Sequence, residues 1–307
     1  MTIFLLRRIG IEMPLSLLVI FTVTFFLIRL APGGPFSSEK NVSPRVLREL
    51  EKHYGLDKSL PEQYLRYLGS VLKGNLGPSF KYPGRNVSDL IAEAFPVSLE
   101  LGCYALLFAL LTGITAGITA ASRHDTWVDY LAMSVSMGGI CIPSFVLGPL
   151  LVLLFGCLLR WMPVAGWSSP VDRLLPSLTL GMVYVAYIAR MMRGSMLEVL
   201  VQDYITTARA KGCSERRVLV HHALRGALIP VVSFLGPAAA GLITGSFVVE
   251  TIFSIPGLGR YFVTAAFNRD YTMIMGTVIF YAFIIIVFNM LVDITLAILD
   301  PRVRSRC

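Results

Sequence analysis

The chain has 307 residues, 55% of them apolar and only 15% charged, with a formal net charge of +8. A water-soluble domain of this length could not hide so much apolar surface, so the bilayer is its expected solvent. The basic excess forms no single stripe and is not interleaved with exposed aromatics, which excludes nucleic acid as a partner.

In chain order, six runs of about twenty mostly apolar residues predict spanning helices, since roughly 30 Å of hydrocarbon at 1.5 Å per residue needs that length. They fall at residues 9–30, 97–121, 130–159, 174–192, 228–253 and 273–299. The first follows Arg7 and Arg8 as a secretory leader would. Its apolar core is too long for a leader and has no small-residue cleavage site, so a retained span is expected.

Residues 32–96 then form an external segment with helical patterning of its own. Ser43 and Pro44 start a helix running to Gly55, with Val46, Leu47, Leu50 and Tyr54 on one face. A second follows Pro61, with Tyr64, Leu65 and Leu68 apolar, and ends at Gly74. A small helical cap over the outer mouth is expected, against the alternative of a solvated loop. The division is therefore residues 1–31 (N-terminus and first span), 32–96 (cap) and 97–307 (transmembrane core, with a long loop at 193–227).

The second span carries small residues every four positions: Ala105, Ala109, Gly113, Gly117 and Ala121. In lipid such a ridge marks close helix packing. The fifth span repeats the theme at Gly236, Ala240 and Thr244, and at Gly241 and Gly245. Pro143 and Pro149 should kink the third span, where a kink either borders a transport path or is simply structural.

Basic residues of the short loops fix the orientation. Arg7, Arg8, Arg123, Arg190, Arg193, Arg209, Lys211, Arg216, Arg217, Arg225, Arg302, Arg304 and Arg306 share one side of a six-span chain, while the other short loops hold Arg160, Arg173, Arg260 and Arg269. Both termini and the 193–227 loop are thus expected in the cytoplasm. Cys103, Cys141, Cys157, Cys213 and Cys307 are scattered, which supports neither a disulfide framework nor a metal site.

The 193–227 loop is helical in pattern but too polar to span. Met196, Leu200, Tyr204 and Ala208 recur every four residues beside Leu197, Val201 and Ile205, predicting one amphipathic helix to Gly212. Gly212 can end it in the left-handed conformation, Ser214 can cap a second helix from Glu215 to about Gly226, and Thr206, Thr207, Ala208 and Ala210 flank the turn. Two readings remain open on physical grounds. The loop is either a protrusion that docks in a partner's groove or a helix resting among lipid headgroups.

The residues here carry a resemblance. Asp203-Tyr204-Ile205-Thr206-Thr207-Ala208-Arg209-Ala210-Lys211-Gly212, then His221-His222-Ala223-Leu224 and Leu228-Ile229-Pro230, resemble the EAA loop of binding-protein-dependent ABC importer permeases. Ala31-Pro32-Gly33, Tyr54-Gly55-Leu56-Asp57, Gly74-Asn75-Leu76-Gly77-Pro78-Ser79-Phe80-Lys81-Tyr82, Arg193-Gly194-Ser195-Met196, Val249-Glu250-Thr251-Ile252-Phe253, Pro256-Gly257-Leu258-Gly259 and Asp300-Pro301-Arg302 resemble the peptide and nickel branch, the oligopeptide permeases above all.

The resemblance implies an all-α, six-span type I importer permease fold in a bacterial inner membrane, and a coupling loop at 203–225 that includes His222 and Ala223. It further implies a second homologous permease subunit, two ABC ATPase subunits that bind the ATP, and an external peptide-binding protein. The general loop pattern opens with Glu where this chain has Thr206, so no Glu-specific contact carries over. Asn75 stands where the branch often has Asp. Dipeptide or nickel import remains an alternative within the class, and an autonomous secondary carrier outside it.

Absences are equally informative. No G-x-x-x-x-G-K-[ST] loop occurs, so nucleotide hydrolysis must come from another subunit, and the chain is expected to be no enzyme and to hold no cofactor. His53, His124, His221 and His222 form no catalytic constellation, and the adjacent pair on a helix points apart. Glu100, Glu250 and Asp293 are the ionisable residues at the spans. They cluster toward the ends, whereas a proton-coupled carrier wants them near mid-membrane. Asp293 is expected to pair with a loop arginine. Glu250, a pathway candidate together with Pro143, either faces the mouth or anchors the turn after it.

Overall fold

A computed structural model describes residues 7–31, 34–36, 44–244 and 247–299. Ser43, Pro32, Gly33, Gly245, Arg302, Arg304, Arg306, Cys307 and the Asp300-Pro301-Arg302 run lie outside the described residues. The described residues are helical, with one isolated bridge between Pro78 and Asn86. Five helices are long and apolar enough to cross a membrane, or six if one sharply bent pair counts as a single span.

The chain divides into two compact units. The first, residues 2–97 and 257–284, holds α1 (Met13–Leu30, entered through a π-helical turn at Arg8–Glu12), α2 (Pro44–Tyr54) and α3 (Leu60–Leu72). The start of α4 (Val87–Ser122), α12 (Leu258–Asn268) and the start of α13 (Tyr271–Leu299) complete it. Phe21, Phe25 and Met275 are buried at its centre, with Tyr64, Tyr67 and Leu68 packed on them. Phe25 and Tyr64 meet edge to face at 5.2 Å between centroids and Phe21 and Tyr67 stack at 5.7 Å, and such aromatic pairs add about 0.5–1.5 kcal/mol each beyond area burial. A second cluster joins Val87, Leu90, Ile91 and Ala94 to Leu258, Ala265, Met273 and Tyr281.

The boundary expected at residue 97 therefore falls inside a helix. Val87, Leu90, Ile91 and Ala94 supply a buried stripe at helical spacing that outweighs the lost hydrogen bond, and Pro96 lies within α4.

The second unit, residues 98–256 and 285–307, is built around α7 (Leu174–Leu200), whose buried face includes Val185, Ala186, Ile188, Ala189, Met192 and Met196. The small-residue ridge of α4 lies against it. A Cβ on Gly117 would come within 2.6 Å of Met192 Cβ and 2.7 Å of the Ala189 carbonyl, and one on Gly113 within 2.8 Å of Ile188. Ala105 and Ala109 are fully buried. On another side α5 (Trp127–Cys141) approaches so closely that a Cβ on Gly139 would sit 2.2 Å from the Met182 carbonyl. In α10 (Leu224–Thr244), Gly236 meets Asn289 and Gly241 meets the Tyr184 hydroxyl.

Three expectations need correction. The third run is no single kinked helix: α5 and α6 (Ser144–Leu151, continued as a π-helix to Leu158) bend by 107° at residues 142–143. Ile142, which precedes Pro143, is pushed to extended backbone at φ −101° and ψ 112°, while Pro149 stays inside α6. The fourth span runs on to Leu200, so the loop's first helix is not one piece. Gln202 is extended at ψ 149°, and α8 (Asp203–Ala210) begins after it. The loop's second helix, α9 (Glu215–Arg217), does not stop near Gly226 but passes through a π-helical turn at Val218–Ala223 into α10.

Candidate functional site

The loop's two arms meet over one apolar seat. Ile205 and Ala208 on α8 and Val218 and Ala223 on the returning arm are all buried, in one cluster with Met192, Met196, Ala227 and Val231. Burying Ile205 alone is worth about 2 kcal/mol. The helical spacing thus serves the chain's own core. Ala208 and Ala223 face inward, while Tyr204, which was placed on the same stripe, is 49% exposed. Its hydroxyl lies 3.5 Å from where a Cβ on Gly226 would stand.

The outward edge is formed by Asp203, Thr206, Thr207, Arg209, Ala210, Lys211, Gly212 and His222, all exposed. Gly212 has φ +78°. Its N–H donates to the Arg209 carbonyl at 2.9 Å and the Cys213 N–H to that of Ala208 at 3.2 Å. This paired 5→2 and 6→1 arrangement satisfies carbonyls that a helix end leaves open. Arg209 reaches back to Glu215 at 2.9 Å and so ties the two sides of the turn. Both side chains are well exposed, so this pair positions more than it stabilises. The result is a blunt, polar protrusion held rigidly from within.

Where α7 enters the loop, Arg193 grips Asp129 of α5 through two parallel bonds of 2.7 Å. Asp129 is 1% exposed and also accepts from the Asp125 N–H at 3.2 Å. The sequence reading noticed Arg193 but not its partner. The His124, Asp125 and Asp129 donor atoms lie within 4.8 Å of one another, yet both Asp129 oxygens are committed to Arg193, which makes this a clamp rather than a cation site.

Glu250 is buried and accepts from the Ser98 hydroxyl at 2.7 Å, while its carbonyl accepts from the Ile255 N–H. Both bonds tie it to the protein's own chain. Pro143 is exposed at the 107° bend. Glu100 is held by Arg173 and by the Trp167 indole at 3.2 Å, and Asp293 is half-buried.

In the first unit the sequence reading missed Asp270 entirely. This residue is 1% exposed, and its carboxylate accepts from the Ser79 hydroxyl and from the Phe80, Lys81 and Met273 N–H groups, each N–H bond at 3.1 Å. It caps α13 while pinning the 77–82 loop to that helix. An acid directly before a long apolar run was the available signal. Nearby, burial first and the charge of Asp270 second push the Tyr67 phenol well up, so it stays neutral and donates to the Leu76 carbonyl at 3.0 Å.

Residues 113–305 match the family described as binding-protein-dependent transport system inner membrane component, and residues 1–102 match its N-terminal counterpart. The chain is 48% identical to the oligopeptide transport system permease protein OppB of Haemophilus influenzae, over 98% of this chain and 99% of that one. It is 44% identical to OppB of Escherichia coli K12 over the same shares. With the dipeptide transport system permease protein DppB of Bacillus subtilis it shares 46% identity over 95% of each.

Proposed function

The chain belongs to the family of binding-protein-dependent transport system inner membrane components, and on that premise we propose that it is the membrane-spanning translocation subunit of an ATP-driven importer of oligopeptides. The single observation that carries the reading is similarity to an oligopeptide permease over nearly the full length of both chains. ATPase subunits bind and hydrolyse the nucleotide and dock on the exposed edge around Gly212. A second homologous permease completes the pore, and an external binding protein delivers the peptide.

The rigid, internally seated protrusion supports this docking role. A helix lying among headgroups would turn its apolar face outward to the lipid, whereas Ile205 and Ala208 face the protein's own core. In the mechanism, ATP-driven closure of the ATPases moves the loop, α7 and α10 follow, and access to the pore alternates.

The purified chain alone is expected neither to bind nor to hydrolyse ATP, and to co-purify with ATPase subunits when these are co-expressed. Peptide uptake into liposomes by the chain without partners would overturn this. The likeness to a dipeptide permease makes dipeptide import the second reading, which the assembled transporter separates by its relative uptake of dipeptides and tetrapeptides.

Orientation has its own test. In a background freed of native cysteines, Ser59→Cys is expected to react with an impermeant thiol reagent from outside intact cells, and Ser214→Cys only after permeabilisation. The opposite pattern would reverse the topology read from the arginines.

A further inference from the structure

The first unit contains a cavity of about 220 Å³ whose walls include Arg29, His53, Arg66 and the rings of Tyr54, Tyr67 and Tyr271. Among the described residues, no Asp or Glu lines it. Asp270 is buried and already engaged by the four donors named above and by the Thr272 hydroxyl at 3.0 Å.

Arg29 is set for binding rather than for pairing within the chain. Its guanidinium lies 3.5 Å from the Phe25 ring centroid, and its Nε and Nη2 donate to Gln63 Oε1 at 3.3 and 3.0 Å. Gln63 is fixed in turn by bonds from its Nε2 to the Leu56 and Lys58 carbonyls. A third donor of Arg29 goes to the Phe25 carbonyl, and no described carboxylate pairs with it. A guanidinium has five N–H donors, so two are left over.

Arg66 makes no hydrogen bond or ion pair to any described residue, and its Nη1 lies 2.8 Å from where a Cβ on Gly55 would be. Gly55, at φ +68°, is required by the turn ending α2, and the Arg66 guanidinium lies beside it. Two guanidinium groups with no acidic partner among the described residues, on one cavity whose described walls are aromatic and free of carboxylates, are matched to a planar anion carried on an apolar body. The volume falls below the roughly 300–1,000 Å³ of sites that engulf whole ligands, which suits the end of a chain better than its middle.

We propose that this cavity binds the carboxylate-bearing C-terminal residue of a peptide. The identity of the ligand rests on the importer reading; the preference for a carboxylate does not.

The test uses the full chain in nanodiscs of neutral phosphatidylcholine and equilibrium dialysis with radiolabelled Ala-Ala-Phe or its C-terminal amide. The free acid is expected to bind and the amide to bind at least tenfold more weakly. Arg66→Gln should weaken the acid at least tenfold with an unchanged melting curve, since nothing in the described chain depends on that side chain. Asn75→Asp should do the same by placing a negative charge on the cavity wall, while keeping the side-chain oxygen that accepts the Gly77 N–H at 2.9 Å.

Equal binding of acid and amide, or normal binding by both variants, would overturn the proposal. So would displacement of the peptide when phosphatidylglycerol is added to the disc, because the site would then belong to a lipid headgroup. Import is measured separately in the assembled transporter. Failure of the wild type to import peptides would remove the importer reading and leave the difference between acid and amide standing.

Discussion

Gly212→Val is expected to abolish peptide import while leaving the protein inserted and abundant. Gly212 adopts φ +78° with no heavy atom within 4 Å of a Cβ built on it, so the variant meets no clash but does meet left-handed backbone strain. That strain costs about 1–2 kcal/mol for an ordinary residue and more for a β-branched one. It is relieved most simply by giving up the two turn bonds to Arg209 and Ala208, which moves the outward edge without unseating the spans. ATPase co-purification and peptide-stimulated ATP hydrolysis in the assembled transporter should fall together. Ala210→Trp, at an exposed position beside the turn, should produce the same loss with an unchanged melting temperature. Ala208→Trp is a different experiment, because that side chain faces the core and a bulky ring there overpacks it. Wild-type import by both Gly212→Val and Ala210→Trp would sink the docking role.

Asp270→Asn is expected to be the most destabilising isosteric change in the first unit. The amide nitrogen cannot accept the bonds that one carboxylate oxygen receives from Ser79, Phe80 and Lys81, and turning the amide over strands Met273 instead. Hydrogen bonds to a charged group are worth about 1.5–3 kcal/mol each, and stranded buried donors raise the cost. The net loss should be about 3 kcal/mol, read as a fall of about 6–12 °C in the thermal transition of the detergent-solubilised protein. A melting temperature within a degree of wild type would show that the 77–82 loop is held by other contacts.

Much of this architecture was legible in the sequence because lipid imposes simple rules. Lengths of apolar run located the spans, and the four-residue ridge from Ala105 to Ala121 is the surface that meets α7. Glycine at the loop's turn announced its left-handed backbone. What the sequence hid were features in which a local signal lost to a tertiary one. The apolar run starts at residue 97, but four buried side chains before it begin the helix ten residues earlier, at Val87. The period-four stripe from Met196 to Ala208 looked like one helix, yet apolar side chains can keep a common seat across a break in the backbone at Val201 and Gln202. The Arg193–Asp129 clamp was invisible because its halves are sixty-four residues apart and neither sits in a local pattern.

The shared seat beneath the loop also bears on its mechanics. The arm that leaves α7 and the arm that enters α10 are glued to each other by Ile205, Ala208, Val218 and Ala223 before either reaches its span. A displacement applied at the tip cannot be absorbed by one arm flexing, because bending either would open an apolar core. On the proposed docking, the stroke of an ATPase would reach two spans at once, with the loop as a stiff handle whose amide protons should exchange as slowly as those of the spans it joins.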